Sequence, residues 1–273
     1  MGKFDGVLFL SDFDGTYLDS EGKQLPENID AVRYFMSQGG KFTICTGRTY
    51  PVFAEQFQKM QVPVNAPIIV CNGGMIVDLE KDEILFQQPY DFDVKQIARM
   101  VHEIEPDVGI ELHCGKTDYI IHNSTASDYH MSFTGGKPIY CDINSAPDVI
   151  NKIVFTDKNH ERLERVKKMV LNSEYADCVE INFGHSYFLD TLPVGLNKGN
   201  GALKLAEILG VKTDDLYGAG DYYIDVPLLA VSKIGFVPEN APDDIRALGY
   251  RIVRHCDHAS VAHCIEILDG LYA

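Results

Sequence analysis

The sequence predicts an α/β fold, a doubly wound parallel sheet into which a second, α+β domain is inserted. Three observations carry that expectation. Strand and helix signals alternate over residues 7–71, they give way to short alternating strands mixed with helices as far as residue 189, and the βα alternation returns from residue 197. Chain length agrees, because 273 residues exceed one minimal core and fit two packed units.

The elements follow in order. Val7–Ser11 is a continuous apolar run, the pattern of a parallel strand covered on both faces. Pro26 opens a helix in which Ile29, Val32, Phe35 and Met36 recur at helical spacing, and Gly39-Gly40 closes it. Lys41–Cys45 reads as the second strand, Tyr50–Met60 as a helix and Ile68–Cys71 as the third strand. After Asn72-Gly73-Gly74, Met75–Leu79 and Glu83–Gln88 read as a hairpin joined by a charged turn. From Pro89 to Leu189, helices at Val94–Ile104 and His160–Leu171 mix with strands at Gly109–His113, Tyr119–His122, Lys152–Thr156 and Cys178–Asn182, the grammar of an antiparallel sheet. The return consists of a helix from Asn197 to Leu209, strand Leu216–Ala219, a helix, strand Ile234–Val237, helix Pro242–Leu248, strand Arg251–Val253 and a last helix His258–Leu271. Residues 1–85 and 190–273 are thus expected to form the core, and 86–189 the inserted domain.

Composition narrows the function. A formal net charge of −16 repels nucleic acid and anionic membranes, whose binding rests on Lys and Arg. No stretch reaches the roughly eighteen apolar residues of a membrane span. The Val7–Leu10 run, with one Lys before it, is too short for a signal peptide, so a cytoplasmic protein is expected. The cysteines at 45, 71, 114, 141, 178, 256 and 264 form no C-x-x-C pair, which argues for reduced thiols; Cys45 and Cys71 read as small buried hydrophobes. His255-Cys256-Asp257-His258 with His263-Cys264 lacks the paired spacing of a structural zinc site and reads as the start of a packed helix. Oligomeric state is left between a monomer and a small homo-oligomer.

The chemistry concentrates in Leu10-Ser11-Asp12-Phe13-Asp14-Gly15-Thr16. Two carboxylates two residues apart follow a buried strand, and open parallel sheets bind ligands at the carboxyl ends of their strands. Gly15 permits a sharp exit that leaves both acids facing a crevice. An EF-hand loop also uses Asp-x-Asp but needs Gly at its sixth position, where Tyr17 stands. Two readings stay open on these residues alone: a pair of solvated loop acids, or a nucleophilic aspartate with an acid–base partner beside it.

That signature resembles the haloacid dehalogenase (HAD) superfamily, and three further elements match its pattern in order. They are Ile44-Cys45-Thr46-Gly47-Arg48, Leu196-Asn197-Lys198-Gly199 and Gly220-Asp221-Tyr222-Tyr223-Ile224-Asp225. The inserted domain, the Asn72-Gly73-Gly74 turn and the Val237-Pro238-Glu239-Asn240-Ala241 tail are similar to the Cof-type branch. The chain departs from it at Ile224, where many members carry Asn, and at Glu239, where Gly is usual.

The resemblance implies a Rossmann-like HAD core with an inserted α+β cap that selects the substrate, His113, Tyr119, His122 and Tyr187 being candidates on that cap. It implies a magnesium-dependent phosphatase in which Asp12 is the nucleophile and Asp14 the general acid and base. Thr46, Gly47 and Lys198 would bind the phosphoryl group, Arg48 and Asn72 the rest of the substrate, and Asp12, Asp14 (through its backbone carbonyl), Asp221 and Asp225 the Mg2+ ion, Asp225 by supporting the groups that touch the ion or through a water. The expected partner is a small phosphorylated metabolite, sugar phosphates first, then nucleotide or flavin phosphates. In so acidic a chain, a divalent ion and a few basic groups would have to offset the repulsion between nucleophile and substrate locally. Two rivals accompany this reading: a phosphomutase, and a ligand-binding regulatory protein with weakened catalysis, which Ile224 motivates.

Overall fold

A computed structural model describes residues 2–135 and 137–272, with the side chains of residues 133 and 134 outside that description. The chain divides into two compact units, Met1–Gly47 with Gln56–Leu85 and Asn197–Ala273, and Arg48–Glu55 with Phe86–Leu196. The second unit thus takes in a segment ahead of residue 86 and runs past residue 189.

Among the described residues, the first unit holds a five-stranded sheet in the order Arg251–Val253, Ile234–Pro238, Leu216–Ala219, Leu8–Ser11, Lys41–Ile44. All four pairings are parallel. Leu8–Ser11 is buried along its whole length, which explains its unbroken apolar run: it lies between two other strands and both its faces are covered. On one residue of it, the Phe9 ring meets Phe35, Phe42 and Phe236 edge-on at 6.2, 5.6 and 6.0 Å. Helix Pro26–Ser37 starts on its proline, and the buried Asn28 ties it inward, donating to the Tyr17 carbonyl and accepting from the Ala262 N–H of helix Ser260–Leu271. Register then decides where the site lies. Ser11 stands opposite both Ile44 and Ala219, so the residues that follow these three strands emerge together at the carboxyl edge of the sheet.

Ile68–Val70 departs from the expectation of a third strand in that sheet. It pairs antiparallel with Met75–Asp78, in a three-stranded sheet completed by Glu83–Gln87, and meets the end of the parallel sheet at a single parallel bridge from Ile69 to Cys45. The cause is local: Cys71, Asn72 and Gly73 take φ values of +53°, +54° and +104°, and this tight left-handed reversal brings Met75 opposite Val70.

The second unit holds, among the described residues, a six-stranded sheet in the order Val179–His185, Phe188–Pro193, Lys152–Thr156, Gly109–Cys114, Thr117–His122, Ile139–Tyr140. Its pairings are antiparallel except the last, which is parallel. Helices Lys95–Ile104 and His160–Leu171 bury Ile97, Val101, Leu163 and Val166 against Ile110, Leu112, Ile153 and Phe155 of this sheet. Helix Thr125–Thr134 and strands Phe188–Pro193 and Ile139–Tyr140 are elements that the sequence reading did not assign. Among the described residues no helix is long and apolar enough to cross a membrane.

Candidate active site

Asp12 leaves the central strand with its N–H still donating to the Ala219 carbonyl at 2.8 Å. The loop that follows is a wide turn in which Tyr17 and Leu18 donate back to the carbonyls of Asp12 and Phe13. Phe13 and Tyr17 are buried and their rings stack at 6.2 Å, which leaves Asp14 between them exposed. Gly15 closes the turn at φ +75°, where a Cβ atom would lie 2.7 Å from Asp221 Oδ2. Only glycine serves there, for backbone and space alike.

Lys198 is the first residue of helix Lys198–Leu209, whose N-cap Asn197 accepts the Asn200 N–H at 2.9 Å. A cation at a helix start opposes the helix dipole, and this one is fully buried. Two carboxylates hold it: Nζ donates to Asp12 Oδ1 and to Asp225 Oδ1. The other oxygen of Asp225 accepts the N–H groups of Asp221 and Tyr222 at 3.1 and 3.0 Å. Asp225 thereby fixes the lysine with one oxygen and the turn carrying Asp221 with the other. Asp221 in turn accepts the Thr16 hydroxyl at 3.0 Å.

Asp12, Asp221 and Asp225 each offer a carboxylate oxygen, all within 4.8 Å of one another. Burial raises the Asp12 carboxyl well above the usual carboxylate range, with Asp225 adding to the effect and Lys198 opposing it. Burial, and then Asp225, pushes Asp221 up to about 6 against the Thr16 hydrogen bond. Burial alone would lower Lys198, but Asp12 and Asp225 more than offset it and the ammonium is held charged. Three acids thus share one cation, and every donor is a hard oxygen. That set fits a divalent ion that prefers oxygen ligands.

The remaining residues named from sequence take the following places. Thr46 is buried, donates its N–H to the Ile69 carbonyl at 2.9 Å and accepts the Asn72 N–H at 3.0 Å. Asn72 is buried at positive φ; its Oδ1 has no hydrogen-bond partner and would lie 2.7 Å from a Cβ on Gly47. Arg48 belongs to the Arg48–Glu55 segment of the second unit. The Asp14 carboxylate is not among the three that converge. Ile224 is 41% exposed.

Within the second unit, His113 is buried and bound to Asp118 at 2.7 Å, Asp118 also accepting the Thr49 hydroxyl at 3.1 Å. Tyr119 packs on the core, His122 lies beside His102 and Tyr187 beside His185. Near the end of the chain, donor atoms of His255, Cys256 and Asp257 also come within 4.8 Å of one another. There, however, His255 Nδ1 accepts the Asp257 N–H, Asp257 accepts the Ser20 N–H, and burial pushes the Cys256 thiol up to about 11.

Two residues of the site went unassigned in the sequence reading. Thr16 lies within the D-x-D-G-T run itself, and its hydroxyl was the available signal. Asn240 lies in the tail motif and donates to the Gly15 carbonyl at 2.8 Å.

A profile of the haloacid dehalogenase-like hydrolases matches residues 9–265. The 5-amino-6-(5-phospho-D-ribitylamino)uracil phosphatase YwtE of Bacillus subtilis is 27% identical over 289 residues, covering 96% of this chain and 98% of that protein. The HMP-PP phosphatase of Serratia proteamaculans is 24% identical over 270 residues, covering 95% and 94%. Among solved structures, a haloacid dehalogenase-like hydrolase from Bacteroides thetaiotaomicron superposes with a TM-score of 0.83 at 18% identity, over 96% of this chain and 99% of that one. The HAD subclass IIB sugar phosphatase BT4131 gives 0.80 at 17% identity, again over 96% and 99%. With a family match that runs from the central strand to the last helix, and the same fold in these neighbours, this chain belongs to the haloacid dehalogenase-like hydrolases.

Proposed function

We propose that this chain is a magnesium-dependent phosphatase of small phosphorylated metabolites that works through an aspartyl-phosphate on Asp12. One observation carries the reading: the buried Asp12 carboxylate stands at the end of the central strand, held by Lys198 and joined by Asp221 and Asp225. A surface acid needs no such company, whereas a carboxylate that must strike an anion does.

In this reading one Asp12 oxygen attacks phosphorus as the bond from phosphorus to the ester oxygen breaks. Asp14, on the exposed side of the turn, gives its proton to that leaving oxygen and then takes one from the water that attacks the phosphoryl group. Cleavage of the Asp12–phosphate bond frees inorganic phosphate and restores the carboxylate. Lys198, with Thr46 and Gly47, binds the phosphoryl oxygens and stabilises charge as it shifts toward the leaving group. Asp12, Asp221 and the Asp14 carbonyl would hold the magnesium ion, whose charge would offset the repulsion between the two anions. Asp225 acts from behind, keeping Lys198 and the Asp221 turn in place. Asn72, with its unpaired buried oxygen, accepts a hydrogen bond from the substrate, and the second unit, Arg48 included, contributes to substrate choice. The named activities of the two phosphatase relatives and of the sugar phosphatase support the substrate class.

The test is phosphate release from a panel of monoesters with magnesium and with excess chelator, beside an Asp12→Asn control. Release that needs magnesium and vanishes in the control is expected. Release that survives in either would overturn the reading, and so would a wild type no more active than the control.

A further inference from the structure

We propose that Asn240 is a positioning residue for the metal-binding carboxylate of Asp221 and for the loop that follows Asp14. The inference rests on the reading of Asp221 as a magnesium ligand and adds a residue that this reading does not use. Asn240 lies two residues beyond strand Ile234–Pro238, and its side-chain amide is engaged at both ends. Nδ2 donates to the Gly15 carbonyl at 2.8 Å and faces Asp221 Oδ2 at 3.5 Å, while Oδ1 accepts the Cys256 N–H at 2.9 Å. The amide cannot be turned over, because the reverse orientation would set oxygen against two oxygens and NH2 against an N–H.

The consequence for Asp221 is geometric. Thr16 donates to Oδ1 and Asn240 faces Oδ2, so neutral donors from two separate segments address the two oxygens and set the plane of the carboxylate. The Gly15 backbone passes close by, since a Cβ atom there would lie 2.7 Å from the same Oδ2. The Cys256 N–H, from the turn Cys256–His258, braces the far end of the amide. One side chain therefore ties the Asp14–Gly15 loop, the Asp221 carboxylate and the chain ahead of the last helix into one frame. A partner of this kind orients a ligand without touching the ion, and its loss typically weakens metal affinity about 10–100-fold.

Calorimetric titration of Mg2+ into the full-length wild type, Asn240→Ala and Asn240→Leu provides the test, with turnover of a monoester followed across magnesium concentrations. Leucine keeps the bulk of the side chain and removes both hydrogen-bonding ends, so a mere filler would be replaced by it without effect. Both variants are expected to bind Mg2+ about 10–100-fold more weakly and to regain turnover when magnesium is raised. Wild-type affinity in Asn240→Leu overturns the inference, as does lost turnover that no magnesium concentration restores. A wild type that binds no Mg2+ would defeat the metal reading itself, and this inference with it, whereas wild-type binding with unaltered variants defeats this inference alone.

Discussion

Replacing Lys198 by methionine removes the charge and keeps an unbranched chain of similar length. The side chain is fully buried, and its two partners, Asp12 and Asp225, are 8% and 1% exposed. Breaking a buried ion pair by deleting one partner costs about 3–5 kcal/mol, because the remaining charge is left uncompensated. Here one deletion strands two carboxylates, so the upper part of that range is expected at neutral pH. Protonation relieves part of it. Burial already holds Asp12 above the carboxylate range with Lys198 opposing, and without the lysine its carboxyl must rise further. An acid whose folded pKa exceeds its unfolded value binds protons more tightly when folded, so the folded state gains stability as pH falls through the folded pKa. The deficit of Lys198→Met therefore shrinks as pH falls, and should be smaller in a measurement at about pH 5 than in one at about pH 7. Urea denaturation of both proteins in chelator, followed by circular dichroism at the two pH values, reads this difference. A deficit below about 0.5 kcal/mol, the scale of an ordinary surface change, would refute the reasoning, and so would a deficit that grows on acidification.

Other outcomes follow from the same geometry. Gly15→Ala places a left-handed alanine against Asp221 Oδ2; it should cost about 1–2 kcal/mol in backbone strain and weaken Mg2+ binding about tenfold or more, as read by thermal unfolding and calorimetric titration. Unchanged magnesium affinity would show that the carboxylate has room to move. In the second unit, burial raises Asp118, but the charge of His113 and the hydrogen bonds from His113 and Thr49 more than offset it and hold the carboxyl below its usual value. Its anion therefore contributes stability above about pH 4 that is lost as pH falls further, and Asp118→Asn should lose about 1–3 kcal/mol near neutrality. Denaturation at about pH 7 and about pH 3 should show the gap closing; a gap of equal size at both would count against the ion pair.

The legible parts of the fold were those in which one strip of sequence suffices. Leu8–Ser11 announced its burial on both faces by its unbroken apolar run, and proline marked the start of Pro26–Ser37. His160–Leu171, Leu216–Ala219 and Arg251–Val253 fall where periodicity put them. Illegible were the features that a partner decides. The Asn72-Gly73-Gly74 turn was legible, but Ile68–Val70 takes its neighbour from a reversal that already begins at Cys71, a residue at positive φ that the sequence does not advertise. Thr125–Thr134 is announced by its Ser124 cap more than by an apolar stripe, and both residues of Ile139–Tyr140 are exposed.

The site divides in the same way. The D-x-D-G-T run, Lys198 and the Gly220–Asp225 turn were visible as motifs at strand ends and a helix start. Spacing did not disclose that Asp225 would turn one oxygen to Lys198 and the other to the backbone N–H groups of residues 221 and 222. Nor did it disclose Asn240, whose partners Gly15 and Cys256 lie far from it in sequence.

The attack by Asp12 is tested most directly by acid-quenched mass spectrometry of Asp14→Asn during turnover of p-nitrophenyl phosphate with magnesium. That leaving group departs without a proton, so formation of the covalent intermediate is spared while its hydrolysis, deprived of a base, slows. A phosphoryl group should accumulate on the peptide that contains Asp12, and should be absent when Asp12 is also changed to Asn. A phosphoryl group on any other residue, or steady turnover with Asp12 never modified, would contradict the account.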